Sequence, residues 1–185
     1  MRIRVLSDLH LEFKDWKPPK ADADVVVLAG DIHVGVKGIE WARRSFPSIP
    51  IVYVAGNHEF YGEHILDMTQ ELLMEGRRLG VDVLDARGAV IGGVRFLGAT
   101  LWTDFALGGN DPSAIDRAMA DAQYGMYDFQ VIRSGDNRKF GPTDARAIHL
   151  DQVGWLLRQE LNDAFDPVLT VDTRATGSSD CGVDE

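Results

Sequence analysis

The chain has 185 residues, ordinary apolar and charged fractions and a formal net charge of −10. That length fits one domain with its own core, and the composition excludes a fibrous or wholly disordered chain. The acidic balance, with no Lys/Arg-rich run, argues against broad binding to a nucleic-acid backbone but not against a phosphate substrate, because bound divalent cations reverse the local sign.

Ile3–Leu6 and Val25–Ala29 are Val- and Ile-rich runs of the kind that form strands buried on both faces. Gly38–Phe46 reads as a short helix stopped by Pro47 and Pro50, and Ile51–Ala55 as a third buried strand. Glu63–Leu79 carries Ile65, Leu66, Met68, Leu72, Leu73 and Leu79 at helical spacing and ends at Gly80. Strand, helix, strand, helix predicts a largely parallel sheet. Val81–Leu84, Ala89–Ile91 and Val94–Thr100 are further strands, the last two joined by a Gly92-Gly93 hairpin. Ala106–Gly141 is a long connection with a short helix around Ser113–Tyr124. Thr143 is placed to cap a helix running to about Phe165, with Leu150, Val153, Leu157 and Leu161 as its buried stripe. Val168–Val171 is a final strand. Asp172–Glu185 keeps one sizeable aliphatic residue, Val183, and is expected to be a frayed tail after a single domain over residues 1–171.

Cys181 is the only cysteine, which rules out an intrachain disulfide and a cysteine zinc cluster. Met1–Phe13 is interrupted by Asp8 and makes a poor signal peptide, and no apolar run approaches the roughly 20 residues that span a bilayer. A cytoplasmic protein is the expectation.

Three polar runs, Asp8-Leu9-His10, Gly30-Asp31 and Gly56-Asn57-His58-Glu59, each follow a predicted buried strand. In an open α/β sheet, ligands collect beyond the carboxyl ends of the strands, so the three loops can converge. Asp8 and His10 can grip one cation from the same side. Asp31 has two oxygens with which to bridge a pair of cations, and Asn57 offers a neutral amide oxygen to the second. Mixed oxygen and imidazole ligands suit Mn, Fe, Zn or Ni. Two such ions about 3.5–4 Å apart activate water and clamp a phosphate. His58, next to a ligand, can reach the substrate and protonate a leaving alkoxide. Taken singly each run is more often a polar turn; their occurrence together at three strand ends points to a metal site.

Other histidines and aromatics read more plainly. His33, two residues past Asp31, can line the site, although a solvated loop histidine is the commoner fate, and His64 reads as a helix-start residue. The His58–His64 spacing of six excludes a zinc-protease helix, which needs four. Trp102 and Phe105 can border a cleft, although core is the commoner fate of such aromatics.

The ordered set over Met1–Tyr61 resembles the first three motifs of the calcineurin-like metallophosphoesterases. Gly98–Phe105 and Ile148–Leu157 resemble the bacterial members with less force. The resemblance implies an α/β fold, a β-sandwich flanked by helices, and hydrolysis of a phosphomonoester, phosphodiester or nucleotide. It implies two divalent ions, one held by Asp8, His10 and Asp31, the other by Asp31 and Asn57, with His58 as the catalytic histidine.

The family pattern continues with a histidine after a later strand and a Gly-His-x-His motif, whereas no histidine here follows His149. His149 falls inside the predicted long helix, and Asp172 cannot replace three imidazoles. The expectation is therefore a C-terminally truncated or frame-shifted member with a non-native tail from about Asp172. It would bind metal weakly or as a single ion and turn over slowly. Open sheet edges would invite pairing with another chain. The alternative is a catalytically inactive binding or scaffold module of the same fold, and a partner that supplies the missing strands and ligands is a third. The expected ligand is a small phosphate ester, with no long nucleic acid and no membrane.

Overall fold

A computed structural model describes residues 1–20, 22–135, 138–160 and 168–172. Its first half repeats a strand-and-crossover pattern. β1 (Ile3–Leu6), β2 (Val25–Ala29), β3 (Ile51–Val54) and β4 (Asp82–Val83) form one sheet in that order, every neighbouring pair parallel. Parallel neighbours need crossovers, and α1 (Lys37–Ser45) and α2 (Ile65–Leu79) supply two of them. Gly80 ends α2 in the left-handed conformation, with its amide turned back on Gly76 and Arg77.

The second sheet begins with the hairpin β5 (Arg87–Ile91) and β6 (Val94–Ala99), turned at Gly92 and Gly93, both of positive φ. β9 (Val168–Asp172) joins β6 in parallel, one residue longer than the sequence predicts. Between β6 and β9 lie α3 (Pro112–Gly125), α4 (Asp128–Val131), a small hairpin of β7 (Arg133–Ser134) and β8 (Arg138–Lys139), and α5 (Pro142–Glu160). Asp111 caps α3 through Ala114 N–H, with Pro112 in the first turn. Neither α4 nor the small hairpin is foreseen from the sequence.

Burial shows how the layers stack. Alternate residues of the first sheet, Val26, Leu28, Ile51 and Tyr53, pack under α1 and α2 with Ile39, Ala42, Met68 and Leu72. The other set, Val25, Val27, Val52 and Val54, meets Phe96 and Val171 of the second sheet. Leu97 and Ala99 on the far face of that sheet pack on Leu156 of α5. The result is a β-sandwich with helices on both outer faces. Among the described residues no helix is long and apolar enough to cross a membrane.

Three expectations are corrected. β1 is not buried on both faces: Val5 is 59% exposed and Ile3 also stands open. Their register partners Val25 and Val27 face the sandwich interior, so Ile3 and Val5 point the same way from the rim, beyond the cover of the described strands of the second sheet. α2 keeps the expected helical spacing, with Ile65, Met68, Leu72 and Leu73 buried and Leu66 exposed. On α5, Thr143 is not the cap. Gly141 is, because its carbonyl takes the Asp144 and Ala145 amides and its own N–H bonds the Asp144 carboxylate. The buried face of α5 is Ala145, Gln152 and Leu156, leaving Leu150 and Leu157 exposed. The expectations for residues 161–165, including Leu161, and for 173–185 lie outside the described residues.

Candidate metal centre

The carboxyl ends of β1, β2 and β3 open onto loops that are stitched together by backbone. Asp8 N–H donates to the Gly30 carbonyl at 3.1 Å, His10 N–H to Asp31 at 3.0 Å and Leu11 N–H to Ile32 at 3.0 Å. Asp8, His10 and Asp31 all have positive φ, 52°, 44° and 55°. This left-handed region is costly for residues with a Cβ, and such strain persists where surrounding structure holds it, commonly at functional sites. The three side chains converge: one ligand atom from each lies within 4.8 Å of the others.

Asp31 is tied down further. One of its oxygens accepts the His58 amide at 3.0 Å. A Cβ at residue 56 would stand 2.2 Å from that same oxygen, so only glycine fits beside it. Burial raises the Asp31 pKa, and the facing Asp8 carboxylate pushes it the same way, against His58 and His10. A cation is the partner that relieves two carboxylates turned toward one another. The donor set of two carboxylates and an imidazole fits a divalent metal of the Mn, Fe, Zn or Ni kind.

Asn57 and His58 occupy a single 3-10 turn, Asn57 preceding it and His58–Phe60 forming it. The Asn57 amide nitrogen donates to Asp128 at 2.6 Å and to the Tyr61 hydroxyl at 3.0 Å. With its nitrogen committed to a carboxylate, the amide oxygen is the Asn57 atom that could serve a cation. Tyr61 also donates to Asp128 at 2.9 Å; burial and then the Asp128 charge raise its pKa. Its ring stacks on His58 with centroids 4.2 Å apart.

Four supporting residues escape the sequence reading. Glu59, fully buried, accepts the amides of Asp31 (3.1 Å), Ile32 (2.9 Å) and Gly56 (2.7 Å) and the Tyr53 hydroxyl (2.7 Å). It staples the loop after β2 to the loop after β3. Burial, then the Asp31 charge, raises its pKa. Glu12, its side chain only 13% exposed, takes His58 Nδ1 at 2.8 Å and lies 3.4 Å from His10 Nδ1. Burial works against its charge, but its own backbone amide and then the His58 and His10 rings outweigh it and lower its pKa. Asp128 and Tyr61 complete the set. Glu59 ends the Gly56-Asn57-His58-Glu59 run, and Glu12 extends Asp-x-His to Asp-x-His-x-Glu; Asp128, 71 residues from its partner Asn57, leaves no local signal.

Other histidines stay outside this cluster. His33 contacts the Val34 carbonyl, and His64 precedes α2 as its N-cap. His149 bonds the Trp102 carbonyl from α5. Trp102 is buried in the core, and Phe105 packs against it.

Comparison with known proteins bears on this arrangement. A family model described as calcineurin-like phosphoesterase matches residues 1–154. Among solved structures, the chain is similar to the crystal structure of phosphopantetheinyl hydrolase from Mycobacterium tuberculosis, at 18% identity and a TM-score of 0.63. The match covers 92% of this chain and 67% of that one, and at that identity it is a likeness of fold. The chain has no match among curated proteins.

Proposed function

This chain belongs to the calcineurin-like phosphoesterase family, and we propose that it hydrolyses a small phosphate ester at the centre formed by Asp8, His10, Asp31, Asn57 and His58. The observation that carries the reading is the convergence of Asp8, His10 and Asp31, each in a left-handed backbone, on one point. Asp8, His10 and Asp31 would hold one divalent ion, and Asp31 with the Asn57 amide oxygen a second. Such ions supply Lewis-acid activation of water and neutralise charge on the phosphoryl oxygens.

The chain's own residues prepare the proton and the geometry. Glu12 accepts from His58 Nδ1 at 2.8 Å, which leaves Nε2 as the ring atom that holds the proton for the departing alkoxide. Stacking on Tyr61 fixes the ring plane. Asp128 fixes the orientation of Asn57 and Glu59 that of the Asp31 backbone. The substrate is a phosphomonoester, phosphodiester or nucleotide; the net charge of −10 disfavours a long nucleic acid.

The test is metal content per chain after purification in Mn²⁺, with hydrolysis of bis-p-nitrophenyl phosphate on the same sample. The expected result is bound metal and chelator-sensitive turnover. His58→Ala should retain metal and lose about 10²- to 10⁴-fold in kcat. A chain that binds no metal and hydrolyses nothing would overturn the reading and leave a binding module of this fold.

A further inference from the structure

Ring contacts run through His58 and out to solvent at both ends. Phe13 lies 6.2 Å from the His10 ring and 6.5 Å from that of His58, and His10 meets His58 edge-on at 4.4 Å. Beyond the stacked His58–Tyr61 pair, Tyr127 meets Tyr61 edge-on at 5.5 Å. The two outer members are exposed, Phe13 by 76% and Tyr127 by 64%.

A solitary exposed aromatic is ordinary and needs no explanation. These two differ because they end one continuous row whose middle member is the proton-holding histidine. Both are also held in place. Phe13 N–H closes a turn onto the His10 carbonyl at 3.0 Å. Tyr127 opens α4, whose next two residues, Asp128 and Phe129, are buried. With their backbone anchored in this way, the two residues have only side-chain rotation left to order when a planar ligand binds. The carboxylates nearest the row, Glu12 on His58 and Asp128 on Tyr61, oppose a second anionic group there. Neutral contact with ring faces is what remains for recognition.

We propose, resting on the phosphoesterase reading above, that this row is the subsite for the alcohol half of the substrate and selects esters bearing a planar aromatic group. His58 stands between its two exposed ends, so the group that receives its proton is the group the rings would grip.

The experiment titrates the Mn²⁺-loaded full chain by calorimetry with 2-phenylethylphosphonate and 2-cyclohexylethylphosphonate, which match in charge and tether and differ in planarity. The two corresponding phosphate esters are assayed in parallel for hydrolysis. The aryl phosphonate should bind about tenfold more tightly. Phe13→Leu and Tyr127→Leu should each bring the ratio of the two affinities toward one. Equal affinities, no binding of either phosphonate, or an aryl preference that survives both substitutions overturns the subsite. Aryl preference in binding with neither monoester hydrolysed sustains the subsite, and the enzymatic reading then fails only if bis-p-nitrophenyl phosphate is not hydrolysed either. Hydrolysis of both esters with no aryl preference sinks the subsite alone.

Discussion

The Glu59 carboxylate gathers four donors, three of them backbone amides from the two loops that carry Asp31 and Asn57. All four are donors, so an amide cannot replace the carboxylate without turning its NH₂ toward other N–H groups. Glu59→Gln should therefore destabilise the protein by about 1–3 kcal/mol. Because the Asp31 amide is one of the four, it should also weaken metal binding about tenfold, the scale seen when groups supporting a metal ligand are removed. Urea melts and metal titration of the variant check the two effects. Lost stability with unchanged metal affinity would mean that Glu59 supports the fold without setting the ligand geometry. The sequence presents Glu59 beside the other site residues, yet nothing local tells a ligand from a staple. That difference appears only when its carboxylate is seen buried among amides.

Helix α5 shows how an element's boundaries and orientation depend on partners outside it. Its N-terminus is closed by Asp144, which accepts the Gly141 amide at 2.9 Å and a two-pronged Arg138 guanidinium at 2.6 and 2.7 Å. Arg138, together with the Gly141 amide, holds the Asp144 carboxyl below its ordinary value, against the effect of burial. A lowered folded pKa gives stability that is complete above the unfolded value near 3.8 and is lost as pH falls through the folded value. Asp144→Asn should therefore cost about 1 kcal/mol at pH 6, an N-terminal capping contribution, and less at pH 2. Urea melts of both proteins at the two pH values check this; an equal cost at both would show that charge is not involved. The buried face of the same helix was not legible from its leucines. Gln152 turns inward because its side chain accepts the Leu101 amide at 3.0 Å and donates to Asp85 at 2.9 Å. Leu156 follows it into the core, while Leu150 and Leu157 go to solvent.

At the scale of the whole molecule, the two sheets do not cover each other fully among the described residues. The interior face of β2 and β3 is sealed by Phe96 and Val171, whereas Ile3 and Val5, on the same face of β1, lie open. Val27→Thr should cost about 1–3 kcal/mol because it buries a hydroxyl in an apolar layer. Val5→Thr should stay within about 0.5 kcal/mol, as surface substitutions do. Denaturant unfolding of the two variants measures the contrast. A Val5→Thr cost as large as that of Val27→Thr would show that the face is covered in solution, and sedimentation would then identify a second copy as the cover.

Sequence by itself determined the parallel strands of the first sheet and the polar runs at their carboxyl ends. Both signals are local: a β-branched run favours a strand, and the residue that follows it must lie at the strand's carboxyl end. Tertiary structure decided which residues support the ligands, which helix faces are buried and where the sandwich stays open. Asp128 reaches Asn57 across 71 residues, and Gln152 reaches Leu101 across 51. Such pairings arise from packing of separate elements, and hydrophobic periodicity within one element carries no trace of them.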